Sequence, residues 1–112
     1  MEIHDIFWHD STINKVIELP EKDVILFEID YPINWEENVF EIHTLTFSGV
    51  HGYEIREGPF VGAPAIMGAT KSAYLETKNV HKLRLDTNAG YRVILCEALS
   101  LRKGKAYLAA DE

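Results

Sequence analysis

The chain has little that would staple, anchor or interrupt it. Only one of its 112 residues is cysteine, Cys96. No intramolecular disulfide can form, and the cytoplasm is the expected setting. No apolar run approaches the ~20 residues of a membrane-spanning helix, and Met1-Glu2-Ile3-His4-Asp5 lacks the basic start of a signal peptide. Low-complexity segments and internal repeats are absent. Basic residues are scarce in the first half: residues 1–60 carry 13 acidic and 3 basic side chains, a net −10. Residues 61–112 carry 5 acidic and 8 basic, a net +3. Affinity for nucleic acid is largely cationic in origin, so nucleic acid is not an expected partner. The short group Arg102-Lys103-Gly104-Lys105 reads as a solvated strand end.

Hydrophobic residues make up 46% of the chain and aromatics 11%, enough for one core, and residues 1–112 read as a single β-rich domain. Apolar alternation with a period of two recurs, whereas helical spacing is confined to Ile3, Ile6 and Phe7, a short N-terminal helical turn. His9-Asp10-Ser11-Thr12 reads as a turn before a strand carrying Ile13, Ile17 and Leu19. Ile25, Phe27, Ile29 and Tyr31 alternate with Glu28 and Asp30 in a second strand, which Pro32 is expected to end. In residues 39–49, Phe40 and Ile42 have one parity and Leu45 and Phe47 the other. This predicts a β-bulge near His43-Thr44. Tyr53 and Ile55 mark a short strand. Residues 58–69, rich in glycine and proline and uncharged, read as a loop. Strands follow at 71–77, 80–87 and 91–101, the last two joined as a hairpin by Asp86-Thr87-Asn88-Ala89-Gly90. In the final strand Tyr91, Val93, Leu95, Leu99 and Leu101 form the main apolar stripe, and Glu97, which interrupts it, is expected to pair with Arg84 or Lys82. The expected fold is mainly β: six or seven mostly antiparallel strands as a sandwich, curved sheet or partly open barrel.

Chemistry-bearing motifs are few. His9-Asp10-Ser11 has the residue types of a hydrolytic triad, but adjacent side chains on extended backbone diverge. It reads instead as a capped turn, with His9 and Asp10 as a ligand-binding alternative at one end of the sheet. Five histidines follow no metal-ligating spacing, and the glycines at 58, 62 and 68 follow no phosphate-binding pattern. Neither metal nor cofactor is expected, and Cys96 reads as a buried hydrophobe. Trp35 beside Glu36-Glu37, and Phe60, Ile66 and Met67 in the apolar loop, are the partner-binding candidates, because such residues are enriched at interface cores.

Phe7-Trp8-His9-Asp10-Ser11-Thr12-Ile13, Leu26-Phe27-Glu28-Ile29-Asp30 and Leu45-Thr46-Phe47-Ser48-Gly49-Val50 together resemble small, uncharacterised bacterial β-rich proteins. Some of these are grouped with immunity proteins of polymorphic toxin systems. The resemblance implies a non-enzymatic module that binds a protein partner, and defines no catalytic residue. The alternative is a small-ligand binder or small enzyme using His9 and Asp10. A homodimer pairing edge strands or the 58–69 loop is compatible with either.

Overall fold

The computed structural model describes residues 3–59, 62–75 and 79–106. A 3₁₀ turn at Ile3–Asp5 precedes eight strands: β1 (Thr12–Leu19), β2 (Val24–Asn34), β3 (Val39–Ser48), β4 (Gly52–Glu57), β5 (Ile66–Leu75), β6 (Val80–Thr87), β7 (Gly90–Cys96) and β8 (Ala98–Lys103). They form two four-stranded antiparallel sheets, ordered β1-β2-β3-β8 and β4-β7-β6-β5. The mainly β expectation therefore holds, as eight strands rather than six or seven in two packed sheets, and among the described residues no barrel closes.

The period of two works as expected in β2. Ile25, Phe27 and Ile29 are buried against Leu45 and Phe47 of β3 and Leu99 of β8. From the other sheet Ile66, Leu83, Leu85, Ile94 and Cys96 meet them. Each such side chain, fully buried, contributes about 1.5–3 kcal/mol. Phe27 and Phe47 pack edge to face with ring centroids 5.0 Å apart. The Thr87–Gly90 turn joins β6 and β7 as the predicted hairpin.

Several expectations are corrected. Pro32 does not end β2. It is buried within the strand, and the chain runs on to Asn34 with one extra residue, Ile33, bulged between Pro32 and Asn34. The bulge expected at His43-Thr44 is absent, since β3 pairs with β2 in unbroken register from Phe40 to Ser48. Both faces of β3 are covered instead. Thr44 is fully buried on the outer face, where its hydroxyl donates to the Gly104 carbonyl at 2.8 Å. A satisfied hydroxyl can be buried at little cost, which is why polar threonine does not mark solvent here. The strand predicted over 91–101 is two strands, β7 in one sheet and β8 in the other, divided at Glu97. Residues 66–69 belong to β5 rather than to a loop.

The corner at Glu97 is where the sheets exchange strands. Its N–H donates to the Ser48 carbonyl at 3.0 Å, so the β3–β4 and β7–β8 connections cross side by side. Gly49 holds φ +60° there, and a Cβ on it would fall 2.8 Å from the Glu97 side chain, so only glycine fits. The Glu97 carboxylate pairs with His51 Nε2 at 2.9 Å. The expected partner Arg84 pairs with Asp86 at 2.9 Å. At the opposite end β1 is stitched to the start of β5. Ile13 N–H donates to the Pro64 carbonyl, and Ile66 N–H to that of Ser11. Residues 64–66 thus close the sandwich at this end.

Candidate functional site

The segment before β1 alternates between core and surface. Ile6 and Trp8 are buried, while Phe7 is 48% exposed. The Trp8 indole N–H donates to the Ile3 carbonyl at 2.7 Å, and the fully buried Ser11 hydroxyl donates to that of Phe7 at 3.2 Å. The Ser11 N–H donates to the Trp8 carbonyl at 3.1 Å and closes residues 8–11 into a tight turn, in which Asp10 takes φ +71°. Aspartate tolerates that conformation better than most residues. The Asp10 N–H donates to the Ile66 carbonyl at 2.9 Å, and the Phe7 N–H to the Tyr31 hydroxyl at 2.9 Å. The turn is therefore fastened to the start of β5 and to β2.

The β2–β3 turn meets it from the other side. Asn34 Oδ1 accepts the Glu37 N–H at 3.1 Å, the Asn38 N–H donates to the Trp35 carbonyl, and Asn38 sits at φ +58°. This tight turn projects Trp35, whose indole N–H donates to Asp10 Oδ2 at 3.4 Å. His9 Nδ1 lies 3.0 Å from the same oxygen. Two candidate groups far apart in sequence are thus joined at one carboxylate. Among the exposed apolar side chains, Phe7, Ile33 (49%), Trp35 (60%) and Met67 (57%) lie on the segments these bonds tie together. Asp10, Glu36 and Glu37 supply negative charge beside them, all exposed.

The individual candidates fare differently. Ile66 is 1% exposed and belongs to the core, because its position in β5 faces the opposing sheet. Any surface presented by this segment is carried by Met67. Phe60 lies outside the described residues. Ser11 is buried and committed to a carbonyl, so His9, Asp10 and Ser11 do not form a nucleophilic relay. Among the described residues, surface cavities of about 510, 340 and 230 Å³ are lined by neither His9 nor Asp10. Among the described residues no three His, Cys, Asp or Glu side chains gather in a way that could hold a metal ion.

Cys96 faces His81 across the β6–β7 ladder, and both line the 340 Å³ cavity. Burial pushes the thiol up to about 11, against the smaller opposing effect of Lys71. A buried, protonated thiol is a poor nucleophile. Ellman's reagent at pH 8 is expected to modify the native protein at least about 100-fold more slowly than the unfolded chain. A rapid native reaction would identify an accessible thiolate.

One polar cluster carries no sequence signal. Arg92, on the core face of β7, donates from Nε and Nη2 to the two Glu57 oxygens, each at 2.9 Å. Its Nη1 donates to the Tyr53 hydroxyl at 3.1 Å, and its guanidinium lies 5.7 Å from the Phe27 ring centre. Thr87 Oγ1 donates to Glu57 at 3.1 Å. The hydrogen bonds from Arg92 hold the Glu57 carboxyl below the usual carboxylate value although burial opposes them. Burial likewise works against the Arg92 charge, but Glu57 and Tyr53 more than compensate and its pKa stays raised. Alternation had placed Tyr91, Val93 and Leu95 in the main stripe. The core face of β7 is instead Arg92, Ile94 and Cys96, and the charge on Arg92 concealed it. Arg92 and Glu57 line the 510 Å³ groove beside Lys15, Val16, Ile55 and Pro64. Their polar atoms are mutually engaged, so the cluster braces the edge of the sandwich.

No helix among the described residues is long and apolar enough to cross a membrane. Compared with protein-family models and with curated proteins, the chain matches none.

Proposed function

We propose that this protein is a non-enzymatic, immunity-protein-like interaction module that takes a protein partner on the surface around Trp35. The observation that carries the reading is that the exposed side chains of Trp35, Phe7, Ile33 and Met67 lie on segments fastened together through Asp10 and Tyr31. Exposed Trp and Met on a hydrogen-bonded scaffold offer binding area at a low entropic cost. The acidic residues around them favour a basic partner, because complementary charge steers encounter and suppresses wrong pairings. The turn chemistry at residues 8–11 and 34–38 supports the same reading, since it holds the patch in place before binding. The single free cysteine accords with action in the cytoplasm.

Affinity capture from the native cell lysate tests this. The wild type is expected to retain one stoichiometric basic protein, and Trp35→Ala combined with Met67→Ser to bind it at least about 30-fold more weakly. Both side chains are exposed, so the circular dichroism and melting temperature of the variant should match those of the wild type. Added salt should slow association more than it speeds dissociation. Undiminished capture by a folded variant would remove this surface from the proposal. Turnover of a small substrate abolished by His9→Ala would replace the proposal with the enzyme reading.

A further inference from the structure

The four sheet edges are unequally protected against pairing with another strand. β1 has a register shift between Ile13 and Lys15, and its start is bridged to Ala65. β5 is irregular twice, between Ile66 and Gly68 and between Ala73 and Leu75. β8 ends in Arg102 and Lys103, like charges that disfavour a second copy. Bulges and like charges are standard protections of a sheet edge. β4 has neither. It runs in unbroken register with β7 from Gly52, opposite Leu95, to Glu57, opposite Gly90, and contains no proline or lysine.

The backbone phase of that edge follows from one bond. The Gly58 N–H donates to the Ala89 carbonyl at 3.2 Å. Bonded pairs alternate along an antiparallel ladder, so Gly52, Glu54 and Arg56 exchange their bonds with β7. Tyr53, Ile55 and Glu57 therefore turn their N–H and C=O groups to the open side. Ile55, at the centre, is 49% exposed.

Read antiparallel about Ile55, the segment Tyr53-Glu54-Ile55-Arg56-Glu57 is complementary to itself. We propose that a second copy of this chain pairs there, β4 against β4 about a two-fold axis at Ile55, joining two four-stranded sheets into one of eight. Ile55 then lies opposite its counterpart in a bonded pair, which is the phase the backbone already presents. Glu54 faces the Arg56 of the other copy on each side of the axis, so every charge on the outer face meets its opposite. Within one chain Arg56 Nε holds Glu54 Oε1 at 2.9 Å, with the two side chains 65% and 52% exposed. A pair so exposed is weak, and exchanging it for the intermolecular one costs little. An isologous contact of this kind closes at two copies. Its short edge sets a weak dimer. The patch around Trp35 stays free, because β4 contributes nothing to it.

Charge exchange provides the test, using sedimentation equilibrium of the full chain up to hundreds of micromolar. The wild type is expected to dimerise. Arg56→Glu and Glu54→Arg, each alone, place like charges opposite one another and should weaken dimerisation at least about tenfold. Mixed in equal amounts, the two variants oppose Glu to Arg at both positions, and the dimer should return at wild-type strength. That recovery also establishes that both variants are folded. A monomeric wild type across the whole range, variants that dimerise as the wild type does, or a mixture that stays monomeric would each overturn the proposal.

Discussion

Arg92→Ala is expected to lower the stability of the domain by about 3–5 kcal/mol, because it leaves the Glu57 carboxylate with its main partner gone. The Arg92 and Glu57 side chains are only 10% and 13% exposed, so water from the groove they line replaces the lost bonds only in part. The Tyr53 hydroxyl and the face of Phe27 lose the same guanidinium. Removing both charges together should cost far less. Arg92→Met with Glu57→Met is expected to recover at least half of the loss, since a well-packed apolar pair often replaces a buried ion pair at little penalty. Urea titrations of the wild type, the single variant and the pair decide it. A double variant as unstable as Arg92→Ala would show that the loss comes from packing and not from the stranded charge.

The same pair makes a pH prediction. The folded-state pKa of Glu57 lies below its ordinary value near 4.5. The folded state therefore binds this proton less readily than the unfolded chain. The contribution of the pair is complete above the ordinary value and disappears as pH falls through the folded value. The stability advantage of the wild type over Glu57→Gln should thus shrink steadily below about pH 4.5. Measuring the difference between the two proteins cancels the other carboxylates. An advantage constant down to pH 3 would mean that the pair contributes through shape and not charge.

Phe27→Ala should be as damaging, by about 3–5 kcal/mol, for an unrelated reason. Phe27 is fully buried at the centre of β2. Its ring meets Phe47 at 5.0 Å and Tyr53 at 6.0 Å, and stands beneath the Arg92 guanidinium. Neighbours held in two hydrogen-bonded sheets cannot collapse into the space, so a cavity remains. A loss of this size corresponds to a fall in melting temperature of roughly 15–30 °C for a domain of this length. Phe27→Leu, which keeps most of the volume, should cost less than half as much. Equal losses for the two variants would point to the aromatic contacts rather than the cavity.

Much of the fold was legible in local pattern. Ile25, Phe27 and Ile29 declare their face because a strand alternates every residue. Asp86-Thr87-Asn88-Ala89-Gly90 declares its hairpin because turn geometry needs those residue types. The errors have equally definite causes. Thr44 looked solvent-facing until a carbonyl from beyond β8 satisfied its hydroxyl. Residues 91–101 read as one strand because nothing in the apolar pattern distinguishes a continuous strand from one that changes sheet at Glu97. The site was legible only in pieces. Trp35 and Met67 stood out as adhesive side chains and Asp10 as a turn residue, while their meeting left no trace in the pattern. Ile66, beside Met67, looked equally adhesive, and only its register against β6 sends it inward.

The sequence by itself determined that this chain is built of strands, where most of them lie and which half of the chain is acidic. Those properties depend on each residue and its near neighbours, so local periodicity and composition carry them. Tertiary structure alone decided which strands share a sheet, that Arg92 lies inside the sandwich and that Trp35 reaches Asp10. The pairings of β3 with β8 and of β4 with β7, and the partners of Arg92 and Trp35, all join residues 25 or more apart in the chain. Such partners are selected by the packing of whole sheets, and a buried charge is acceptable only once that packing has brought its counter-charge to it.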